Sequence, residues 1–182
     1  MNKIYTIGHA NYDFTMFMSL LGRHRIDVIV DVRSLTVSKY APQFNKAVLE
    51  KNLGHNGYRW LGEELGDIRN EKLAYSKDGI AEFSLISELF SFKDGIKRLK
   101  KIFETSKVAL LGIEPDPLLC HRTLLVAEEL KDFNRQHILG SGNLESHEDA
   151  LQRLVKETGS ETVAEAIENR SKVIQHSLTG RY

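Results

Sequence analysis

Short apolar runs rich in β-branched residues alternate along the chain with segments whose apolar residues recur at helical spacing. This alternation is typical of α/β domains that are built on a mainly parallel sheet. We therefore predict a three-layer α/β fold of Rossmann-like topology, in which a mainly parallel sheet of about five strands carries helices on both faces. The predicted strands are residues 4–8, 28–32, 58–61, 108–113 and 136–139.

The same pattern predicts the helices. Asp13 is a candidate N-cap for a helix that ends near Gly22, and this helix would complete a βαβ unit with the first two strands. Residues 62–92 show no clear period, so we expect an insertion packed over one edge of the sheet. Further helices are predicted at about 45–52, 95–105, 117–131 and 147–157, and residues 159–182 are predicted to form one more helix and a polar tail.

Composition favours a single globular domain over residues 1–182. Of the 182 residues 41% are hydrophobic and 27% are charged, and the formal net charge is zero. A balanced charge does not indicate a nucleic-acid partner, although it leaves one open. The single cysteine, Cys120, cannot form an intramolecular disulfide, and no run of about 18 apolar residues indicates a membrane span. We expect a cytoplasmic protein with no membrane partner, whose cofactor and oligomeric state the sequence leaves unknown.

Chemically versatile side chains follow three of the predicted strands. The carboxyl ends of parallel strands lie at one edge of a sheet, where ligands gather near the topological switch point. We therefore expect one site at this rim. Its candidate catalytic residues are His9, Asp31, Glu114, Cys120 and His121, and its candidate ligand-binding residues are Asn11, Arg33, Ser34, Gln43, Phe44 and Arg122.

The Cys120-His121-Arg122 segment is central to this prediction. We expect these residues in the first turn of a helix, beside unpaired backbone N–H groups and the positive end of the helix dipole. Such a setting favours anions. A small anionic ligand, such as a nucleotide or the end of a nucleic acid, is therefore the predicted partner.

The predicted roles follow from side-chain chemistry. Arginine binds phosphate or carboxylate through two parallel hydrogen bonds, so Arg33 and Arg122 are the predicted anion ligands. A nearby acid would orient the arginines or act as a base, and a histidine would move a proton. The candidates for these two roles are Asp31 or Glu114 and His9 or His121.

Each candidate also has a structural interpretation. Asp31 follows three apolar residues, and a buried Asp31 could serve in a structural ion pair as well as in catalysis. Cys120 is either a nucleophile or a small buried hydrophobe. Phe44 either stacks on a planar ligand held by Gln43, or it anchors its loop in the core while Asn45 caps the next helix.

Other kinds of site find less support. No metal centre is predicted, because the acids and histidines show no metal-ligand spacing. The chain has neither a Walker loop nor a Gly-x-Gly-x-x-Gly motif. The basic stretch at 93–101 has the composition of a nucleic-acid patch, but it lies opposite the apolar face of a predicted helix and acids flank it. A solvated helix face is the better interpretation.

Five separated motifs occur in an order that resembles a known family. They are Tyr5-Thr-Ile-Gly-His-Ala-Asn11, Val30-Asp-Val-Arg-Ser34, Ala41-Pro-Gln-Phe-Asn45, Leu65-Gly66 and Cys120-His-Arg122. The chain resembles the bacterial and archaeal proteins catalogued as domain of unknown function 488 (DUF488) over most of residues 1–139, and we place the family-like region at about 1–157. The family supplies no established activity. The resemblance implies that one functional surface contains His9, Asn11, Asp31, Arg33, Pro42, Gln43, Phe44, Cys120, His121 and Arg122.

Gly112 departs from the family's pattern. Family members often carry Leu-Leu-Cys-x-Glu before Cys-His-Arg, whereas residues 110–114 here are Leu-Leu-Gly-Ile-Glu. The missing thiol argues against a two-thiol mechanism, a disulfide switch, a cysteine-pair metal site and rhodanese-like sulfur transfer. Three interpretations stay open: an enzyme or former enzyme that binds an anion, a non-catalytic module for a nucleic-acid or protein partner in repair or stress response, and an internal ion-pair network.

Overall fold

The computed structural model describes residues 2–179 of the chain, apart from the side chains of His55 and of residues 177–179. Its strands are β1 (Lys3–Gly8), β2 (Val28–Asp31), β3 (Tyr58–Trp60), β4 (Val108–Gly112), β5 (Asn134–Ile138) and β6 (Leu144–Ser146). They form one sheet in the order β3-β2-β4-β1-β5-β6. The first five strands are parallel, and β6 runs antiparallel to β5.

Helices cover both faces of this sheet. Within the described residues they are α1 (Phe14–Arg23), α2 (Lys46–Gly57), α3 (Gly62–Leu65), α4 (Phe83–Glu88), α5 (Phe90–Phe103), α6 (His147–Thr158) and α7 (Val163–Thr179). Asp13 Oδ1 accepts a hydrogen bond from Met16 N at 2.7 Å, which confirms the predicted cap of α1. The path of α2 is interrupted at Gly54, whose φ of 73° is left-handed.

Alternate strand residues supply the two halves of the core. Ile4 of β1 and Leu110 of β4 belong to one cluster, which also contains side chains from α3 to α7. Ile7 and Leu111 belong to a second cluster, which contains side chains from α1 and α2. Because successive strand side chains point to opposite faces, this alternation produces the predicted three-layer α/β fold.

The five predicted strands are confirmed within two residues at each end. The short strand β6 was not predicted, because Leu144-Glu-Ser146 contains a single apolar residue. It follows a turn in which Gly142 has a φ of 80° and Gly142 N donates to Leu139 O at 2.8 Å. The turn residues were predicted correctly as a loop, so only the pairing after them was missed.

The predicted continuous helix over residues 117–131 is wrong. Pro117–Leu119 and Ala127–Glu129 are 3₁₀ turns, and Arg122–Val126 is a π-helical turn. Cys120 lies between these turns with extended φ and ψ of −137° and 138°. The chain leaves the helical path here because the Cys120 side chain packs against Gly112, as described below. Single π turns are often found at functional sites.

Residues 62–92 contribute to the main core rather than covering a sheet edge. Phe83 and Ile86 of α4 and Phe92 of α5 lie in the same cluster as the strand residues of the first face. The helix predicted at 95–105 begins earlier, at Phe90, and its Leu99 and Phe103 are buried as expected.

The last described helix, α7, is the one predicted within residues 159–182. The polar tail predicted after it includes residues 180–182, which lie outside the described residues, and the single-domain organisation stays a prediction. Across residues 2–179, no helix combines the length and the apolar character needed to cross a bilayer.

Candidate functional site

Asp31 and Arg33 form a buried bidentate ion pair at the end of β2. Arg33 Nε donates to Asp31 Oδ1 at 2.8 Å, and Arg33 Nη2 donates to Asp31 Oδ2 at 2.6 Å. Tyr58 Oη also donates to Asp31 Oδ2, at 2.6 Å. The side chains of Arg33 and Asp31 are 4% and 0% exposed, so their opposite charges compensate each other inside the protein.

His9 joins this pair as a neutral imidazole. Its Nε2 lies 3.0 Å from Arg33 Nη1, and its Nδ1 lies 2.8 Å from Ala10 O. Because arginine only donates, Nε2 accepts and Nδ1 carries the hydrogen that Ala10 O accepts. Burial, aided by the positive charge of Arg33, lowers the pKa of His9 to about 4. His9 is therefore a hydrogen-bond acceptor toward Arg33 at neutral pH.

His121 forms a second compensated pair, with Asp67. The His121 Nδ1 and Asp67 Oδ2 atoms are 3.3 Å apart, and His121 Nε2 donates to Val32 O at 2.8 Å. Burial disfavours both ions, but their attraction outweighs it, so the pKa of His121 is raised well above its usual value and that of Asp67 is lowered. Ser34 Oγ supports the carboxylate by donating to Asp67 Oδ1 at 3.2 Å.

Cys120 is buried against Gly112. Its Sγ lies 4.0 Å from His121 Nδ1, and the residue is 1% exposed. A Cβ atom on Gly112 would lie 2.5 Å from Cys120 Sγ and 2.8 Å from Arg122 Cδ, which is too close for either contact. The bare backbone of Gly112 is therefore what admits both side chains. A helical segment over residues 121–129 begins directly after Cys120, whose carbonyl oxygen accepts from Thr123 N at 3.1 Å and whose extended backbone is that of an N-cap residue. The predicted position at the start of a helix is therefore confirmed, although the first turns of that segment are π-helical.

Arg122 is buried without a carboxylate partner within ion-pair distance among residues 2–179. Its Nη1 donates to Glu114 O at 2.9 Å, and its Nε donates to Thr6 Oγ1 at 3.4 Å. The contact with Glu114 uses the backbone carbonyl, not the carboxylate that was predicted to orient an arginine. The charge of Arg122 is one of the causes that lower the pKa of Asp116. The two carboxylate oxygens of Asp116, however, already accept from Arg153 at 2.9 and 3.0 Å.

Among the described residues, Arg122 is therefore the rim cation that has no carboxylate at ion-pair distance, and Asp116 acts on its charge only from farther away. The Asp31–Arg33 and Asp67–His121 pairs each sum to zero, whereas the Arg122 guanidinium adds a full charge beside Gly8 at the end of β1. A buried ion that lacks a partner of opposite charge is costly. An anion bound at the rim would reduce that cost.

The loop after β2 anchors the rim from the other side. Phe44 is buried and stacks on His9 with ring centroids 4.4 Å apart, as the core-anchor interpretation requires. Gln43 Nε2 donates to Tyr12 O at 2.9 Å. Asn45 is the N-cap residue of α2 by position, but its side chain makes no capping bond, because Oδ1 accepts from Ser38 N at 2.7 Å instead.

Ala10 has a left-handed backbone at this rim, with a φ of 45°. Residues other than glycine adopt this conformation rarely and at a cost in conformational energy, and such outliers cluster at ligand sites. Ala10 connects buried His9 to Asn11, whose side chain is exposed at the rim. Asn11 is therefore the most exposed of the predicted ligand-binding residues, ahead of the half-buried Ser34 and Gln43.

A cavity of about 750 Å³ opens beside Ser34 and Trp60, but its charge does not suit an anion. Four carboxylate side chains lie in its wall, and although Arg98 and Arg69 compensate two of them, the remaining two would repel a negative ligand. The four carboxylates are those of Glu63, Glu64, Glu71 and Asp94. We therefore place the candidate anion site at Arg122 and not in this cavity.

Three of the five basic residues of α5, namely Lys93, Arg98 and Lys100, are paired with acids. Lys93 Nζ lies 2.6 Å from Glu88 Oε2, and Arg98 contacts Glu64. These pairs fit the solvated helix face that the sequence favours over a nucleic-acid patch. Within the described residues, no group of three His, Cys, Asp or Glu side chains is arranged to hold a metal ion.

The structure brings the central predicted residues together. His9 and Arg33 are in direct contact, and the charge of Arg122 contributes to the lowered pKa of His9. Sequence reasoning missed three participants. Thr6 and Tyr58 have the appearance of ordinary strand residues, whereas Asp67 follows the Leu65-Gly66 motif directly, a signal that could have found it.

The family described as Domain of unknown function DUF488 matches residues 13–128. The chain belongs to this family. The DUF488 match includes both compensated pairs and Arg122, and it begins after His9 and Asn11. Neither the curated proteins nor the solved structures contain a match to the chain.

Proposed function

We propose that this DUF488 protein is an enzyme or former enzyme that binds a small anionic ligand at the strand-end rim. The ligand class is a nucleotide or the end of a nucleic acid, and Arg122 is the residue that holds it. The observation that carries this proposal is the buried Arg122 guanidinium, which no carboxylate in residues 2–179 compensates at ion-pair distance. Phosphate fits the planar donor geometry of a guanidinium.

Arg33 has a different role in this proposal. Its Nε and Nη atoms donate to Asp31, His9 and the carbonyl of Phe44, which engages four of its five N–H hydrogens. Arg33 therefore positions the rim, while Arg122 supplies the net charge. His9 and Asn11 contribute an acceptor and an exposed amide at the end of β1.

The non-catalytic alternative has support of its own. His9 and Cys120 are buried, which is unfavourable for a proton shuttle or a nucleophile that must meet a substrate. The loop after β2 also exposes three apolar side chains that could contact a macromolecular partner. These are Leu35, Val37 and Tyr40. A module for a nucleic-acid or protein partner would use this loop and the rim together.

A thermal-shift screen tests the proposal. Wild type and Arg122→Gln are measured with sulfate, nucleotides, sugar phosphates and short oligonucleotides. Because a ligand that binds only the native state stabilises it by mass action, a ligand at a hundred times its Kd should raise the wild-type Tm by about 5 °C or more. Arg122→Gln should lose this shift.

Arg135→Gln is the matched control. Arg135 is also buried, but it lies near the start of β5 and contacts Glu128 and Glu148. This variant should keep the ligand-induced shift. A shift that survives in Arg122→Gln, or no shift with any anion, contradicts the proposal. A steep loss of affinity with salt would instead indicate several nucleic-acid phosphates and the non-catalytic alternative.

A further inference from the structure

A chain of hydrogen-bonding groups runs from Arg122 through β1 and β5 to the start of α6. Thr6 Oγ1, which accepts from Arg122 Nε at 3.4 Å, lies 2.8 Å from His137 Nδ1. His137 Nε2 lies 3.1 Å from His147 Nδ1, and His147 Nε2 lies 2.6 Å from Glu128 Oε1. Glu128 is partly exposed and lines a cavity of about 420 Å³ at the surface. The rim is thereby connected to solvent on another side of the molecule.

The two ends of the chain fix the positions of several hydrogens. Glu128 is ionised, because the hydrogen bond from His147 and the charge of Arg135 lower its pKa although burial opposes this. A carboxylate only accepts, so His147 Nε2 carries a hydrogen in every state. At the other end Arg122 only donates, so Thr6 Oγ1 always accepts from it.

His137 has one hydrogen to place. Burial, followed by the charges of His147 and Arg122, lowers the pKa of His137 well below its usual value, so the ring is neutral. A neutral imidazole carries a hydrogen on Nδ1 or on Nε2, but not on both. Each choice dictates the direction of the hydrogen bonds on either side of the ring.

Two arrangements are consistent with the hydrogens fixed at the two ends. With His147 neutral, His137 Nε2 donates to His147 Nδ1, and the Thr6 hydroxyl donates to His137 Nδ1. With His147 doubly protonated, His147 Nδ1 donates to His137 Nε2, and His137 Nδ1 donates to Thr6 Oγ1. In the second arrangement no atom of the hydrogen-bond chain accepts the Thr6 hydroxyl hydrogen. This hydrogen can then be donated to another acceptor beside Arg122.

We propose that protonation of His147 reverses this chain and turns the Thr6 hydroxyl hydrogen toward the anion at Arg122. The inference rests on the proposed function and adds proton-linked regulation of the same site. The hydrogens balance: a proton taken from solvent at the rim joins Thr6 Oγ1, the hydrogen of Thr6 passes to His137 Nδ1, and the Nε2 hydrogen of His137 passes to His147 Nδ1. The net change is one proton bound to His147.

Groups of both signs face His147. Glu128 attracts the proton, whereas Arg135 and the positive end of α6 oppose it. Glu148 reduces the effect of the Arg135 charge, because its carboxylate lies 2.9 Å from Arg135 Nη2. The further charges that act on the chain are those of Arg122, Lys131 and Arg153.

Binding and protonation are then reciprocal. A hydrogen bond to a charged group is worth enough to change affinity by ~10-fold. The anion should therefore bind ~10-fold tighter when His147 is charged, and a saturating anion should raise the proton affinity of His147 by the same factor.

The test uses ¹⁵N-histidine-labelled protein and long-range ¹H–¹⁵N NMR spectra between about pH 5 and 8, the range in which histidines commonly titrate. The expected result is that the His137 hydrogen moves from Nε2 to Nδ1 when His147 Nδ1 acquires a hydrogen. Sulfate is the anion probe, because its charge is constant over this range. Its affinity should rise as His147 becomes charged.

Thr6→Val and Thr6→Ser form the matched pair. The valine variant removes the hydroxyl and should make sulfate affinity independent of the charge on His147, whereas the serine variant keeps a hydroxyl and should retain the dependence. The wild-type tautomer measurement stands even if a variant fails to fold.

Each other outcome is decisive. A His137 hydrogen that stays on one nitrogen, or a His147 that does not titrate, overturns the inference whatever sulfate does. A tautomer change with Arg122-dependent sulfate binding that is equal in both forms overturns the coupling and leaves the proposed function intact. Absence of Arg122-dependent anion binding defeats the proposed function and, with it, the regulation of that site.

Discussion

Arg33 and Arg122 are two arginines at the same rim that are similarly buried but differently compensated. Arg33 is 4% exposed and bound to Asp31 through two hydrogen bonds. Arg122 is 1% exposed and donates to a carbonyl and a hydroxyl. In the first arrangement a carboxylate compensates the buried charge, whereas in the second the guanidinium has only neutral partners, and the proposed function assigns its charge to a ligand. Burial alone does not distinguish the two roles, whereas the inventory of neighbouring charges does.

Removing each charge in turn tests whether the two arginines differ in their contribution to stability. Arg33→Met leaves Asp31 buried without its counterion, so the free energy of unfolding should fall by about 3–5 kcal/mol. Arg122→Met removes a charge that has no counterion and should stay within about 1 kcal/mol of wild type. Urea denaturation measures both values. Equal losses in the two variants would contradict the distinction between the arginines.

The pH dependence of stability tests whether His9, which contacts Arg33, is neutral in the folded protein. The pKa of His9 is about 4 in the folded protein, below the usual value of about 6.5, so folding favours the neutral ring. The contribution of His9 to the free energy of unfolding is present above about pH 6.5 and is lost as the pH falls toward 4. The loss amounts to about 3 kcal/mol.

His9→Gln provides the comparison, because an amide oxygen can accept from Arg33 and does not titrate. Its stability should change less than that of wild type between pH 7 and 4. The pKa of His137 is also lowered, and His137 therefore contributes to the pH dependence of both proteins. The effect of His9 is the difference between the stability curves of wild type and His9→Gln. His121 affects the pH dependence of stability in the opposite direction, because its pKa is raised and its contribution to stability is lost only at higher pH. Parallel curves for wild type and His9→Gln would refute a neutral buried His9.

A smaller effect tests the backbone beneath Arg122. Gly112→Ala forces a methyl group against Cys120 Sγ and Arg122 Cδ and should cost about 1–3 kcal/mol. Gly22→Ala is the control, because a Cβ there meets nothing within 4 Å and alanine favours a helix. Thermal denaturation should therefore show a lower Tm for the first variant and an unchanged or higher Tm for the second. An unchanged Tm for Gly112→Ala would show that the close approach is not required.

The sheet could be predicted because each of its main strands is encoded locally. The run Val108–Gly112 is buried at every position, and an apolar pattern of that length marks a central parallel strand without reference to the rest of the chain. The segment 117–131 could not be predicted in the same way. Its helical periodicity is real, but packing of Cys120 against a glycine of β4 overrides it.

The candidate site was predicted by topology rather than by local pattern. Once β1, β2 and β4 are parallel neighbours, His9, Arg33 and Arg122 must lie at one edge. The sequence does not reveal which arginine is compensated, because that depends on side-chain directions around three strands. Asp67 illustrates the difficulty: it lies more than fifty residues from His121 in the chain and reaches it only through the fold.

Gly112 also limits what a shared motif can mean within the DUF488 family. A cysteine at position 112 of this chain would bring a Cβ and a second sulfur into volume that Cys120 and Arg122 fill, so either β4 or the Cys-His-Arg segment would have to shift. The depth at which the Cys-His-Arg motif presents its guanidinium therefore depends on a residue that lies outside the motif, at position 112 of a neighbouring strand.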